Sequence, residues 1–188
     1  FDFDEDWRAS VAKRLDEMKN KRFNTDLPEL DDPLSRQVNY LRHLIKCSNY
    51  ENALLIGKKI AKKFSKCPEI FHLLGLINYQ LDLFEDAMNA YREVIKLQPD
   101  NERAHSSLAA VQKQSMEYEE ATKSYKRLIS LNPHLKENYF NLGNSLNFLE
   151  KKEDALSIFR RCTIVDVCLT EAHYNIGNIL NELGKYEE

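Results

Sequence analysis

Side chains that could perform catalysis are present in this chain, but their spacing forms no reactive motif. The sequence contains no Gly-x-Ser-x-Gly nucleophile turn, no glycine-rich phosphate loop and no His-Glu-x-x-His pair. The cysteines form no Cys-x-x-Cys pair, so they match neither a zinc site nor a disulfide framework; they are Cys47, Cys67, Cys162 and Cys168. We therefore expect a protein that is not an enzyme, with no catalytic residue, metal or cofactor. Its reduced thiols predict a cytoplasmic location.

Asparagines are the polar residues with the most regular spacing. They recur every third residue in one stretch, and the same pattern returns 34 residues later. Residues three apart lie on one face of a helix. Asparagine is a mediocre helix former whose amide both donates and accepts hydrogen bonds, so its repetition predicts a face suited to the backbone of an extended peptide. We call these residues the asparagine rows: Asn141, Asn144 and Asn147 in the first, and Asn175, Asn178 and Asn181 in the second.

The interval of 34 residues runs through most of the chain and positions the rows. Alanine, glutamate, aromatic and proline residues recur at this interval; the alanines are Ala53, Ala87, Ala121 and Ala155. The register divides the chain into units 34–67, 68–101, 102–135 and 136–169, with a partial unit at 170–188. Each full unit has the pattern of two amphipathic helices. Gly75 with Ala87, and Gly143 with Ala155, are predicted where the two helices cross closely.

The repeated residues resemble the tetratricopeptide repeat family. The matching residues are Phe71, Leu74-Gly75, Ala87, Tyr91 and Pro99, and then Tyr139, Leu142-Gly143, Ala155 and Phe159. The resemblance implies an all-α fold, in which residues 34–188 form a right-handed superhelix of helix-turn-helix repeats. It also implies a protein-interaction scaffold.

Two units depart from the family pattern. In the first, Leu41 replaces the small residue, Gly57 the aromatic and Ser65 the proline, so we expect looser packing there. In the fourth, Val167 stands in place of proline. This departure predicts either a continuous helix or a different turn near that residue.

Residues 1–33 lie outside the period. After an acidic, aromatic tail, an apolar stripe predicts one amphipathic helix over residues 5–22, and a linker follows up to Pro33. We expect this helix to cap the first repeat. The alternative is a segment that folds onto another protein or back into the groove of this one.

The resemblance implies that the second, fifth, sixth, ninth and twelfth residues of each unit line a concave groove. The candidate peptide-binding residues are Asn39, Arg42, His72, Phe140, Asn141, Asn144, Asn147, Tyr174, Asn175, Asn178 and Asn181. The asparagine pattern is similar to that in the repeat arm of O-linked N-acetylglucosamine transferase and in bacterial repeat proteins. The alternative is that these are common residues of the family in a hydrated groove. The carboxylate clamp of chaperone-binding members is not matched, because Glu137, Phe140 and Tyr174 stand at the candidate places.

Three functions remain open from the sequence. The first is a scaffold that binds an extended protein segment. The second is the recognition arm of a larger glycosyl- or sulfotransferase, an interpretation favoured by the end of the sequence in mid-repeat. The third is nucleic-acid binding through a basic face, made up of Lys58, Lys59, Lys62, Lys63 and Lys66.

The charge balance weighs against nucleic acid and membrane partners. The net charge of −3 is too balanced for a nucleic-acid coat, and no aromatic residues accompany the lysines to stack bases. No apolar run approaches the roughly 20 residues that span a bilayer. We therefore expect a protein or peptide partner, and self-association through the partial last repeat.

Overall fold

The computed structural model describes residues 33–185, which form nine helices and no strand. The helices are α1 (Pro33–Lys46), α2 (Tyr50–Lys63), α3 (Pro68–Gln80), α4 (Phe84–Leu97), α5 (Glu102–Gln114), α6 (Tyr118–Leu131), α7 (Lys136–Phe148), α8 (Lys152–Val165) and α9 (Thr170–Glu182). The predicted all-α repeat fold is confirmed.

The chain divides into two compact units, Phe1–Arg36 and Gln37–Glu188. Only the first turn of α1 represents the first unit among the described residues. The predicted helix over 5–22, the acidic tail and most of the linker lie outside the described residues. The sequence predicts Pro33 as the last residue of the linker, but it is the first residue of α1. Proline suits this position because the first N–H of a helix has no intrahelical partner.

The helices of the second unit keep the period of the sequence. From α2 onward each helix packs against the next. The second helices of successive repeats begin 34 residues apart, at Tyr50, Phe84, Tyr118 and Lys152. Few of these helices end beside a glycine or a proline. We therefore attribute the regular positions of the helix ends to packing of the apolar faces.

The turn inside each repeat uses one backbone conformation throughout. One residue in each turn has a positive φ, between 55° and 69°, and these residues are Ser48, Asp82, Met116, Glu150 and Gly184. The following N–H donates to a carbonyl five residues earlier, as from Leu83 N to Asn78 O at 2.9 Å. This is the Schellman arrangement that closes a helix C-terminus. Only Gly184 adopts it without the steric cost of a Cβ atom.

The fourth repeat also ends in register, without the proline. Helix α8 ends at Val165, and the Oδ1 atom of Asp166 accepts a hydrogen bond from Cys168 N at 3.0 Å. An aspartate side chain that bonds the backbone two residues on stabilises a turn. The continuous helix considered for this region is therefore wrong. The turn is also not a different one, because Asp166 has nearly the same backbone dihedral angles as Gln98 and Asn132 at the ends of the second and third repeats.

Glycine makes room for an aromatic ring where the two helices of a repeat cross. A Cβ atom added to Gly75 would lie 2.5 Å from Cε1 of Tyr91, and one added to Gly143 would lie 2.7 Å from Cε1 of Phe159. The corresponding alanines, Ala87 and Ala155, are fully buried. Close approach of the helices therefore accounts for the small residues.

The first repeat reverses this arrangement. Leu41 on α1 is 0% exposed, and its Cδ1 atom lies 3.6 Å from the position of a Cβ added to Gly57 on α2. The large side chain thus comes from the first helix and the small residue from the second. Leu41 fills part of the space over Gly57, and Leu74 of the next repeat comes closer still, with its Cδ2 atom 2.8 Å from the same position. The looser packing expected for this repeat stays a prediction.

Candidate functional site

The predicted site residues lie on the first helices of the repeats, α1, α3, α7 and α9. Four of these residues sit on α7 and another four on α9. Exposed members are Asn39, Arg42, Tyr174, Asn178 and Asn181, and partly buried members are His72, Phe140, Asn141, Asn144, Asn147 and Asn175. The structure brings some of them together and separates others.

Hydrogen bonds connect the asparagine rows across three neighbouring first helices. Lys113 on α5 donates from Nζ to Oδ1 of Asn141 on α7 at 3.0 Å. Asn175 on α9 donates from Nδ2 to Oδ1 of Asn144 at 3.3 Å. Residues from helices that are about 30 positions apart in the chain therefore form one polar surface. Each of these asparagines is held in position while part of its amide stays open to a ligand.

The last asparagine of the first row has a different environment. Lys152 at the start of α8 donates from Nζ to Oδ1 of Asn147 at 3.0 Å, and it pairs with Glu182 at 2.8 Å and Glu150 at 3.3 Å. Hydrogen bonding to the Glu182 carboxylate raises the pKa of Lys152, and Glu150 adds to the effect. Asn147 is therefore tied to the ends of α8 and α9.

The outer part of the second row makes no such bonds. The side chains of Asn178 and Asn181 are exposed on α9, and within residues 33–185 neither has a side-chain hydrogen bond. These two residues stay candidates by position alone.

An open notch lies beside the bonded asparagines, between α7 and α9. Its volume is about 550 Å³, and it is lined by Phe140, Asn144, Thr170, Glu171, Tyr174 and Asn175. Phe140 is held by an edge-on contact with Phe159, with ring centroids 5.9 Å apart. Tyr174 is 68% exposed, which is unusual for a large aromatic side chain on a packed helix. The notch therefore has one fixed and one accessible aromatic wall.

A second cavity, of 440 Å³, lies at the other end of the first-helix surface, and Arg42, Glu69, His72 and Arg103 are among its lining residues. The Arg42 guanidinium donates to Oδ1 of Asn39 at 3.3 Å and forms a salt bridge with the Glu69 carboxylate. Asn39 and Arg42 thus belong to this cluster, and no hydrogen bond between described residues joins them to the asparagine rows.

His72 lines the same cavity and packs on the core. Its ring centroid lies 5.4 Å from that of Tyr91. Burial lowers the pKa of His72, and the nearby Arg103 charge lowers it further against a smaller opposing effect of Glu69. The neutral imidazole is therefore the form favoured at neutral pH, which suits packing and hydrogen bonding more than ion pairing.

Three charged residues of this surface were not among the sequence candidates. Arg103 and Glu171 occupy the second position of their units, and Lys113 occupies the twelfth, the position of Asn147 and Asn181. The register alone could have identified them, because these positions were already assigned to the groove. The regular spacing of the asparagines indicates amide side chains only, so it does not point to these charges.

Two histidines on first helices have a structural role. His105 and His173, which share one repeat position, place Nε2 at 2.8 Å from Pro99 O and 3.0 Å from Val167 O, respectively. A carbonyl can only accept, so each ring N–H donates and closes the loop between repeats. In the described range no group of three or more potential metal ligands comes together, and no helix there is long and apolar enough to cross a membrane.

The lysines of α2 form an exposed basic face on a second helix. The Nζ atom of Lys58 lies 4.0 Å from Oδ2 of Asp86, and the Nζ atom of Lys63 lies 5.3 Å from the centre of the Phe64 ring. Lys59 and Lys62 are also exposed, as is Lys66, which lies in the loop after α2 and not on the helix.

Repeated helix pairs with a polar surface on their first helices define a helical-repeat interaction module. Within this class, a family model described as "TPR repeat" matches residues 75–115, and one described as "Tetratricopeptide repeat" matches residues 170–188. These two stretches of the chain therefore match tetratricopeptide repeats. Repeats of this kind typically act as non-catalytic scaffolds for protein or peptide partners.

Solved structures of tetratricopeptide repeat proteins share the fold. MamA residues 41–end from Desulfovibrio magneticus RS-1 is 19% identical, with a TM-score of 0.74, and the match covers 84% of this chain and 89% of that chain. YrrB, described as a TPR protein with an unusual peptide-binding site, is 20% identical, with a TM-score of 0.70 and coverage of 80% and 78%. No curated protein sequence matches significantly. At these identities the likeness shows the fold alone.

Proposed function

We propose that this protein binds an extended segment of a partner protein across α5, α7 and α9, with the asparagine rows meeting the backbone of that segment. The observation that carries the proposal is the pair of hydrogen bonds between first helices, from Lys113 to Asn141 and from Asn175 to Asn144. The described peptide-binding site of YrrB, a protein of the same fold, supports a peptide as the class of ligand.

The bonded amides offer a donor and an acceptor in fixed places. With its Oδ1 atom engaged by Lys113, Asn141 presents its Nδ2 group to a ligand carbonyl. Asn175 uses Nδ2 for Asn144 and presents its Oδ1 atom to a ligand N–H. A side chain that is already ordered loses less entropy when it binds, so these contacts favour affinity.

Backbone recognition sets the expected energy and selectivity. Each new hydrogen bond contributes about 0.5–1.5 kcal/mol net, because water is displaced from both partners. Loss of one asparagine should therefore weaken binding by no more than roughly tenfold. Contacts to a backbone do not report side-chain identity, so selectivity must come from neighbouring side chains of the surface.

The test is a selection of 12-residue peptides from a random display library, followed by fluorescence anisotropy on the best binder. We expect the double variant Asn141→Ala/Asn175→Ala to weaken binding by about tenfold. Asn52→Ala on the exposed face of α2 is the matched asparagine control and should leave the affinity unchanged.

A second control addresses the basic face. Replacement of Lys58, Lys59, Lys62 and Lys63 by alanine should change the affinity for the same peptide by less than about twofold, since exposed charges far from a site contribute little. If the lysine variant abolishes binding and the asparagine variant does not, the ligand binds the outer face and the proposal is wrong.

A further inference from the structure

The carboxylate of Glu171 lacks the cation that its counterpart has at the other end of the repeat array. Glu69 and Glu171 occupy the same repeat position, three repeats apart. Glu69 forms a salt bridge with Arg42 of the preceding first helix. Asn144 occupies the position of Arg42 three repeats later. We call the contact between two neighbouring first helices a junction. The last junction, between α7 and α9, therefore has an amide where the first, between α1 and α3, has a guanidinium.

Asn144 does not compensate the charge of Glu171. Its Oδ1 atom accepts from Asn175, and an amide has no net charge in any case. Within residues 33–185, Glu171 has no salt bridge with any cation. The notch between α7 and α9 thus contains one exposed, unpaired carboxylate beside two aromatic rings.

The aromatic walls favour the same kind of ligand as the carboxylate. A cation is attracted to the face of a Tyr or Phe ring, and the aliphatic stem of a long basic side chain packs on apolar surface. Tyr174 is open to such contact, while Phe140 is held in place by Phe159. The volume of 550 Å³ lies within the range of small-ligand sites and accommodates a long side chain.

We propose that the notch binds an arginine side chain of the extended partner segment, with its guanidinium on the Glu171 carboxylate and its stem between Phe140 and Tyr174. This inference rests on the proposed function, because the asparagine rows hold the backbone from which that side chain projects. Arginine fits better than lysine because its planar guanidinium stacks on rings and pairs with a carboxylate through two parallel bonds. The ligand would reproduce at the last junction the pair that Arg42 makes with Glu69 at the first.

The direct test is an NMR titration of the ¹⁵N-labelled chain with the capped tripeptide acetyl-Ala-Arg-Ala-amide. The control peptide carries citrulline, which has the shape of arginine without its charge. We expect shifts at the amides of Glu171, Tyr174 and Asn175, and binding of the arginine peptide about fivefold tighter than that of the citrulline peptide. Equal binding of the two peptides, or tighter binding of acetyl-Ala-Leu-Ala-amide, would overturn the inference.

Two variants assign the effect to the notch. Glu171→Gln should reduce arginine binding to the citrulline level, whereas Glu119→Gln, an exposed first-turn carboxylate on α6, should have no effect. Asn144→Arg installs at the last junction the residue that the first junction has, so it should pair with Glu171 and block the site. Arginine binding that survives both Glu171→Gln and Asn144→Arg contradicts the proposed contact.

The peptide selection separates this inference from the proposed function. Selected peptides that depend on Asn141 and Asn175 and are enriched in arginine support both. Peptides with the same asparagine dependence and no arginine enrichment leave the proposed function standing and overturn the arginine subsite. Failure to select any peptide that binds the first-helix surface contradicts both.

Discussion

The first and second repeats fill the crossing of their two helices from opposite sides. In the second repeat Gly75 on the first helix leaves room for the Tyr91 ring on the second. In the first repeat the large residue, Leu41, is on the first helix and the small one, Gly57, is on the second, and Leu41 shares the space over Gly57 with Leu74 of the next repeat. The volume at the crossing is therefore filled in both repeats, while the helix that supplies the large side chain can change.

A second exchange of this kind occurs between the later repeats. The rings of Tyr118 and Phe148 stack with centroids 4.7 Å apart. One repeat later the same two positions hold Lys152 and Glu182, whose charged groups lie 2.8 Å apart. Residues that touch across two repeats have therefore changed as a pair, from a ring stack to an ion pair.

The largest expected effect comes from emptying the crossing of the first repeat. Leu41→Ala should reduce the free energy of unfolding by about 3 kcal/mol, because the fully buried side chain leaves a cavity that Gly57 cannot fill. Urea denaturation followed by circular dichroism measures the change. Leu55→Ala, at a leucine of α2 that is 57% exposed, is the matched control and should cost well under 1 kcal/mol. A loss below about 1 kcal/mol for Leu41→Ala would show that the first repeat is loosely packed after all.

Overfilling the crossing of the second repeat should have the next largest effect. Gly75→Ala places a Cβ atom 2.5 Å from Cε1 of the buried Tyr91 ring, which must shift. We expect a loss of about 2 kcal/mol in the free energy of unfolding, in spite of the better helix propensity of alanine. The same urea denaturation serves as the measurement.

Gly57→Ala is the matched control in the first repeat. The added Cβ would meet Cδ2 of Leu74 at 2.8 Å, the far end of a flexible side chain that can rotate away. Its cost should therefore be clearly smaller than that of Gly75→Ala. If Gly75→Ala and Gly57→Ala lose the same free energy of unfolding, contact with the Tyr91 ring is not what makes the glycine of the second repeat necessary.

Much of the fold could be predicted from the sequence, because the 34-residue period carries the helix pairs with it. The turns were harder to characterise. Ser48, Asp82, Met116 and Glu150 have positive φ values, yet none is a glycine that would have marked the conformation. The hydrogen bond that closes each turn offsets a cost of about 1–2 kcal/mol per residue, so the position tolerates ordinary side chains.

The compensation in the first repeat could not be predicted from single departures. Leu41 and Gly57 are each a departure from the family pattern, and only the packing shows that Leu41, together with Leu74 of the next repeat, fills the space over Gly57. The same limit applies to the site. The asparagine rows follow from spacing, but the bond from Lys113 to Asn141 depends on how α5 and α7 lie beside each other.

High pH provides a test of the third repeat, where Tyr125 holds the position of Tyr91. Burial raises the pKa of Tyr125 to about 12, above the unfolded value of 10.0. As the pH rises, the folded state therefore keeps the Tyr125 proton after the unfolded state has lost it. Ionisation of this group leaves the free energy of unfolding unchanged below pH 10 and lowers it between pH 10 and 12. The expected loss from this group is about 1 kcal/mol at pH 11.

The measurement is urea denaturation of wild type and Tyr125→Phe at pH 7 and pH 11. Phenylalanine does not titrate, so the variant should lose about 1 kcal/mol less than wild type between the two pH values. Titration of lysines and of the other tyrosines is common to both proteins and cancels in this difference. An identical pH response of the two proteins would contradict the burial of Tyr125.

The smallest effect has the opposite sign and concerns the glycine of the last repeat. Gly177 shares its repeat position with Gly75, but a Cβ atom added there meets no atom of residues 33–185 within 4 Å. Its φ is not positive, so alanine fits the backbone without strain. Gly177→Ala should therefore raise the free energy of unfolding by roughly 0.5–1 kcal/mol, through the lower backbone entropy of the unfolded state. Hydrogen exchange of the α9 amides measures the change where it occurs, and slower exchange is the expected result. Faster exchange would mean that this glycine, like Gly75, is needed for close packing.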